Sequence, residues 1–178
     1  MKRKHLLAAV VAVQIALMPV APLVPLAQAA VYSTGTATAT FNVTLTLQAN
    51  CAITANALAF GTNGVLGTAI NQQTTLSVTC TNTTPYNVGL DGGNVTGSTV
   101  TSRLMAGTAT GNTGTTVGFQ LYQDSGRTTI WGNTQGTNTV AGTGSGAAQT
   151  LTVYGQVPVQ TTPKPDTYQT TVTATVYF

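Results

Sequence analysis

Apolar and polar residues alternate without a break from Thr36 to Gln48. The apolar positions in the second half of this stretch are Phe41, Val43, Leu45 and Leu47. Successive side chains of a β-strand point to opposite faces, so a period of two predicts one apolar face and one hydroxyl-rich face. At roughly 3.3 Å per residue the stretch would span roughly 43 Å, far more than a strand of five or six residues. Such a strand either completes the sheet of its own molecule or pairs with another molecule.

Shorter runs with the same alternation recur after residue 50, each bounded by Gly, Asn, Asp or Pro. This arrangement, with few good helix formers in any window, predicts an antiparallel β-sandwich or barrel. The positions expected to face inward are Leu76, Val78 and Cys80; Tyr86, Val88 and Leu90; Val117, Phe119 and Leu121; and Leu151, Val153 and Val157. The glycine-rich segment 132–148 is interpreted as a long exposed loop.

The last alternating run extends from Tyr168 to Phe178 and is predicted to form one strand. Its inward positions are Tyr168, Val172, Ala174, Val176 and Phe178. No residue follows that could pair with the free side of this strand, and an unpaired apolar edge recruits other chains. A spare strand at one end and an unpaired strand at the other favour pairing between molecules, although burial of the first strand in its own sandwich remains the alternative.

The first 29 residues are typical of a secretory signal peptide. Basic residues at positions 2–4 precede the apolar segment Leu6–Met18, and Ala27-Gln28-Ala29 matches a cleavage site. Prolines at positions 19, 22 and 25 interrupt the apolar run too early for a membrane span of about 20 residues. We therefore expect an exported chain with an N-terminal extension, residues 30–48, followed by one sandwich domain, residues 49–178.

Loss of the signal peptide changes the net charge. The full chain has six Lys and Arg and three Asp, which gives a net charge of +3. Three of the basic residues lie in the signal peptide, so the remaining three balance the three Asp and the net charge becomes zero. A neutral chain offers no electrostatic footprint for nucleic acid or for an anionic membrane.

Two cysteines, Cys51 and Cys80, remain in the exported chain. An oxidising compartment and an even number of cysteines favour one disulfide bond between them. Two free thiols and a zinc site are the alternatives, and the zinc site lacks any histidine in the exported chain to complete it.

Groups for catalysis are scarce. The single histidine, His5, lies in the signal peptide, and the chain has no glutamate. This composition excludes Ser-His-Asp and Cys-His nucleophiles and histidine metal sites in the exported chain. Each of Asp91, Asp124 and Asp166 lies in a Gly-, Ser- or Pro-rich turn, where aspartate is ordinary turn chemistry. We expect no enzyme activity, cofactor, metal or small-molecule substrate.

A set of short landmarks, taken in order, resembles the spore coat protein U domain family, as found in subunits of archaic (Csu-like) chaperone–usher pili. The landmarks are Cys51-Ala52-Ile53, Phe60-Gly61, Leu76–Cys80, Leu90–Gly93, Arg103-Leu104-Met105, Phe119–Asp124, Trp131-Gly132, Val153–Pro158 and Tyr168–Phe178. Together they cover nearly all of the chain after the signal peptide.

The resemblance implies an incomplete immunoglobulin-like β-sandwich, the pilin fold, which lacks its seventh strand. A periplasmic chaperone first fills the groove, and the N-terminal extension of the next subunit then replaces it at an outer-membrane usher. Carried over to this chain, the donor strand residues are Phe41, Val43, Leu45 and Leu47. The acceptor groove and chaperone-binding edge are Val172, Ala174, Val176 and Phe178.

These implications make the chain a structural subunit of a surface pilus, or fimbrium, that supports cell adhesion and biofilm formation. One alternative is a spore or cyst coat protein. Another is a secreted monomeric sandwich that binds a carbohydrate or a host surface through exposed aromatic residues, for which Trp131 and Tyr122 are the candidates.

Overall fold

A computed structural model describes residues 35–178, and the predicted signal peptide lies outside the described residues. The described part contains nine β-strands and no helix, so it has no helix that could cross a membrane. The strands are β1 (Cys51–Ala55), β2 (Ile70–Cys80), β3 (Pro85–Leu90), β4 (Arg103–Gly107), β5 (Thr116–Tyr122), β6 (Val140–Thr143), β7 (Ala148–Val157), β8 (Tyr168–Gln169) and β9 (Ala174–Tyr177).

The strands form two antiparallel sheets. The larger sheet has six strands in the order β1-β2-β7-β5-β4-β8, and the smaller has three in the order β6-β3-β9. The longest pairing joins β2 to β7, from Ile70 opposite Val157 to Thr79 opposite Ala148. The all-β sandwich predicted from the alternating runs is confirmed.

The core lies between the inner faces of the two sheets. Almost all of the positions predicted to face inward are buried there, with Val78 and Val88 fully inaccessible and Leu151 half-buried. These side chains alternate with exposed or half-buried residues, except at Gly89 on β3 and Gln120 on β5, which are also buried. Burial of one face of each strand therefore explains most of the period of two. Phe60, from the segment between β1 and β2, packs edge-on against Phe119 at 6.3 Å between ring centroids.

The prediction of a long exposed loop over residues 132–148 is wrong in part. The segment contains β6, which pairs with β3 and completes the smaller sheet. Gly142 crosses the ring of Tyr86 so closely that a Cβ atom would lie 2.4 Å from Cζ, and at Gly144 it would lie 2.2 Å from the carbonyl oxygen of Thr81. Glycine at these positions allows close approach of the backbone, although a glycine-rich sequence is more typical of a loop.

The prediction of one last strand from Tyr168 to Phe178 is also wrong. The run is divided into β8, which pairs with β4 in the larger sheet, and β9, which pairs with β3 in the smaller sheet. Residues 170–173 connect the two strands and have no strand partner. The alternation of side chains continues across this connection, and for that reason the break is invisible in the pattern.

A disulfide bond joins Cys51 to Cys80, which lie directly opposite each other on β1 and β2. Cys80 is buried in the core and Cys51 is half-buried. The bond ties the first strand of the sandwich to the long central strand β2.

Loss of the disulfide is expected to destabilise the domain. Replacing Cys51 by Ala removes the bond with little change in burial, and a closed loop of about 30 residues corresponds to roughly 3.5 kcal/mol of unfolding free energy in the chain-entropy estimate. Urea unfolding of Cys51→Ala and Cys80→Ser under oxidising conditions measures the loss, and the yield of folded Cys80→Ser on export should fall sharply. Unchanged midpoints in both variants would contradict a stabilising role.

Candidate functional site

The smaller sheet ends at β9. β3 is the strand partner of β9 on one side, and within residues 35–178 no strand pairs with its other side. Exposed sheet edges present unpaired N–H and C=O groups to any extended segment that reaches them. This edge, like the other sheet edges at β1, β6 and β8, could accept a further strand.

Hydrogen bonds made by β3 establish which backbone groups of β9 face the open edge. The N–H of Leu90 donates to the carbonyl oxygen of Gly132 at 2.9 Å, away from β9. Antiparallel pairs alternate between hydrogen-bonded and non-hydrogen-bonded, and Leu90 is opposite Ala174. The pair Leu90–Ala174 is thus non-hydrogen-bonded, and the N–H and C=O of Ala174 point to the open edge.

The same reasoning applies along the strand. Val88 lies opposite Val176 and is two residues from Leu90, so this pair is also non-hydrogen-bonded. The carbonyl oxygen of Val88 accepts a hydrogen bond from Trp131 Nε1 at 2.7 Å and not from β9. The even-numbered residues of the last strand therefore direct their backbone groups outward along the plane of the sheet.

The side chains of these even-numbered residues face the core. Val172, Ala174 and Val176 are half-buried and pack against the core cluster, whereas Phe178 is 59% exposed. The predicted acceptor residues thus lie along one unpaired edge. Each combines a free backbone group with an inward side chain, except Phe178, which follows the end of β9.

The core is open beside β8, in the larger sheet. A cavity of about 860 Å³ lies there. Its apolar lining residues include Leu58, Phe60, Ile70, Met105, Val157 and Tyr168. Protein interiors normally contain few voids larger than a water molecule, so a cavity of this size marks apolar surface that this chain leaves uncovered.

The first strand also leaves apolar side chains uncovered. β1 is the edge strand of the larger sheet, and its Cys51 and Ile53 are half-buried. Residues of β1 and β9 approach within 8 Å between Cα atoms. Half-buried apolar residues therefore lie at the neighbouring edges of the two sheets, whereas most inward side chains of the central strands are buried.

The predicted donor stretch has no regular secondary structure and pairs with no strand of the described chain. Phe41, Val43, Leu45 and Leu47 are each 80–85% exposed. Single exposed apolar residues are common, but here four large apolar side chains at alternate positions are all exposed. Its residues alternate between apolar and polar as in a strand, but its apolar side chains are not buried as those of a strand would be.

Arg103 bonds to the end of β3 near the predicted acceptor edge, and the sequence does not single it out as a functional residue. It is only 1% exposed, and all five of its N–H donors are used. The acceptors are the carbonyl oxygens of Leu90 (2.9 Å), Asp91 (2.9 Å), Val100 (3.1 Å) and Trp131 (2.7 Å), together with Gln120 Oε1. Burial lowers the pKa of Arg103 to about 10, and the charge of Asp91 opposes this shift. The buried cation joins the end of β3 to two loops.

The remaining charged groups have structural surroundings. The N–H of Thr129 holds the pKa of Asp124 below its ordinary value, and the Asn112 amide does the same for Asp166. The part of the chain from residue 35 onward contains no cluster of three or more His, Cys, Asp or Glu side chains that could hold a metal ion. Trp131, a candidate for an exposed binding aromatic, is buried in the core at 1% exposure, so that interpretation of it is wrong.

The family follows from the sequence comparison. The model of the Spore Coat Protein U domain matches residues 37–175, which include Phe41 to Leu47 and all of the strands except the end of β9. The chain belongs to the Spore Coat Protein U domain family. The predicted family is thus confirmed, and no curated protein matches the chain.

One solved structure of a pilus subunit complex is similar to this Spore Coat Protein U domain. The domain is similar to a chain in the CsuC–CsuE chaperone–tip adhesion subunit pre-assembly complex from the archaic chaperone–usher Csu pili of Acinetobacter baumannii. The TM-score is 0.54 and the sequence identity 25%, over 75% of this chain and 40% of that chain. The chain thus spans about two fifths of the length of the solved chain that it matches.

Replacement of Arg103 by Lys is expected to destabilise the Spore Coat Protein U domain. Lysine has three N–H donors, so at least two of the five acceptors lose their bonds to a charged donor, which corresponds to about 2–4 kcal/mol. Arg127→Lys is the matched control, because its half-buried guanidinium makes only two longer bonds, to the carbonyls of Gly155 (3.3 Å) and Ser125 (3.1 Å). Chemical denaturation compares the two variants, and equal losses would contradict the anchoring role.

Proposed function

We propose that this protein is a structural subunit of a chaperone–usher pilus and that it polymerises by donor-strand exchange. The observation that carries the proposal is the edge of the last strand, which has no strand partner within residues 35–178 and where outward backbone groups alternate with half-buried apolar side chains. The exposed alternating stretch at the other end of the chain supplies the matching half. The family and the structural similarity to a Csu pilus complex support the same function.

In the proposed mechanism, residues 36–48 of one subunit add as a strand to the open edge of the next. The donor backbone bonds to the outward groups of Val172, Ala174 and Val176, and the donor side chains Phe41, Val43, Leu45 and Leu47 enter the uncovered core. Strand addition of this kind uses main-chain bonds for affinity and alternate side chains for specificity. Burial of four such side chains contributes at most roughly 6–12 kcal/mol before ordering costs.

Growth of a filament follows from the type of contact. The donor and acceptor surfaces are different, so the interface is head-to-tail and need not close into a ring. Because the exported chain has no net charge, copies repel one another little on approach. A head-to-tail contact between neutral copies is suited to an extended assembly of many subunits.

A subunit with an open edge needs protection before assembly. We propose that a periplasmic chaperone covers the edge, that an outer-membrane usher exchanges it for the donor strand, and that the pilus supports adhesion and biofilm formation at the cell surface. The Cys51–Cys80 disulfide is consistent with export through an oxidising compartment. Neither a catalytic group nor a cofactor has a part in this mechanism.

The coat-protein alternative uses the same domain in a different assembly, and the monomeric binding module would need exposed aromatic residues. Burial of Trp131 removes the stronger of the two aromatic candidates. Electron microscopy of the exported protein distinguishes the three, because only the pilus function gives long fibres attached through an usher.

Deletion of residues 30–48 is expected to abolish polymerisation and to leave chaperone binding intact, because the acceptor edge remains and the donor is lost. Addition of a synthetic peptide covering residues 36–48 should then give a heat-stable pair with the truncated subunit. Size-exclusion chromatography and a thermal melt measure both effects. Fibres formed by the truncated protein would show that the donor lies elsewhere.

A pair of single substitutions tests the face of the donor strand that enters the core. Leu45→Asp places a charge among apolar side chains and is expected to reduce fibre growth at least about 100-fold, since burying an unpaired charge is costly. Thr44→Asp adds the same charge one residue away, on the face predicted to meet solvent, and should have little effect. Equal losses from the two substitutions would contradict the predicted alternation, and fibre growth followed by light scattering gives both rates.

A further inference from the structure

Two residues that follow β3 bond to the connection between β8 and β9. They use both backbone and side-chain groups, and they take the place that a neighbouring strand would have. The N–H of Asp91 donates to the carbonyl oxygen of Thr173 at 3.1 Å, and Asp91 Oδ1 accepts the N–H of Thr173 at 2.9 Å. A hydrogen-bonded antiparallel pair makes two bonds of this kind between opposite residues. Here the carboxylate oxygen of Asp91 takes the place of a backbone carbonyl.

Asn94 makes the same two kinds of hydrogen bond, to Thr171 of the connection. Its N–H donates to the carbonyl oxygen of Thr171 at 3.1 Å, and its Oδ1 accepts the N–H of Thr171 at 2.9 Å and the hydroxyl of Thr170 at 3.1 Å. Asp91 and Asn94 therefore bond to alternate residues of the connection in the way that a strand would. We call these two residues the edge clamp.

The edge clamp lengthens the open edge of the last strand. It occupies the backbone groups of Thr171 and Thr173, so Val172 continues the series of even-numbered residues whose backbone groups face outward. β9 has four residues and spans roughly 13 Å, whereas a donor from Phe41 to Leu47 has seven residues and spans roughly 23 Å. Without the connection, β9 is too short to pair with the whole donor.

The edge clamp is itself anchored in the core. The carbonyl oxygen of Asp91 accepts a hydrogen bond from Arg103 Nε at 2.9 Å, and Asp91 Oδ1 also accepts the N–H of Gly93 at 2.9 Å. Gly93 has a φ of 89°, and a Cβ atom there would lie 2.6 Å from Thr170 Oγ1. The turn that carries the clamp thus depends on glycine and on the buried cation for its position.

We propose that Asp91 and Asn94 are positioning residues for strand exchange, which hold residues 170–173 extended so that the acceptor edge runs continuously from Val172 through β9. The inference rests on the proposed function. It assigns the turn after β3 a part in assembly in addition to its part in the fold.

Asn94 gives the cleaner test, because the charge of Asp91 also acts on Arg103. Asn94→Ala removes the Oδ1 acceptor, and Asn94→Asp retains an oxygen at that position. Asn82→Ala is the matched control in an exposed turn, since the Asn82 side chain makes no hydrogen bond to the described part of the chain. All variants are made in the full exported chain.

Two measurements are compared. Hydrogen–deuterium exchange at low concentration, before assembly, should be faster at the Thr171 amide by roughly fivefold to tenfold in Asn94→Ala, with the Val78 amide unchanged as the reference for global stability. Fibre growth should slow by a similar factor in Asn94→Ala and remain near the rate of the original chain in Asn94→Asp and Asn82→Ala.

The outcomes separate the edge clamp from the function on which it rests. Unchanged exchange at Thr171 in Asn94→Ala would show that the clamp does not hold the connection. Faster exchange with an unchanged rate of fibre growth would overturn the positioning role alone. Absence of fibres from the original chain, supplied with its chaperone and usher, would overturn the proposed function and the positioning role together.

Discussion

A β-strand carries hydrogen-bonding groups along both of its edges, and within residues 35–178 the last strand of this chain finds strand partners along one edge. The other edge of this strand leaves backbone N–H and C=O groups without a strand partner, and the rest of the sandwich depends on this feature. Polar backbone groups left bare beside apolar side chains cost free energy when they are buried unpaired, so any cover must supply both backbone bonds and apolar surface. An added β-strand with alternating side chains is the simplest cover that supplies both.

The protein combines an apolar core with one buried cation, and the two have different parts. The apolar residues of β2, β3, β5 and β7 hold the sheets together without regard to direction. Arg103, by contrast, has five N–H donors in a fixed plane and satisfies oxygens from four separate segments. Such directional bonding sets the place where β3 ends, which burial of apolar surface alone would leave less well defined. The proposed acceptor edge begins beside the end of β3 and benefits from this definition.

Much of the fold follows from the period of two. Runs such as Leu76-Ser77-Val78 and Val117-Gly118-Phe119 predict their strands and inward faces because burial of one face is the dominant energy. β6 was missed because the glycines that let it cross Tyr86 are also what a loop would contain. The break before β9 was missed because alternation reports which way side chains point and says nothing about which sheet bonds the backbone.

The candidate site, like the fold, could be predicted only in part from the sequence. Alternation indicates that Phe41 to Leu47 could form a strand, and the structural features of the last strand fit a matching edge. The parts of Arg103, Asp91 and Asn94 depend on contacts between residues distant in sequence, and no local pattern encodes those contacts. An isolated arginine directly before the apolar pair Leu104-Met105 was the one available sign of a buried cation.

The position of the disulfide has a mechanical consequence. Three residues separate Leu47 from Cys51, so in the proposed assembly any tension on the donor segment would reach the fold at the start of β1. The covalent link to Cys80 passes that load to β2, which is bonded to β7 from Ile70 to Thr79 and must shear along its whole length before it yields. The weak point under a pulling force therefore moves away from the short first strand, and a filament of such subunits would resist stretching through its longest pair of strands.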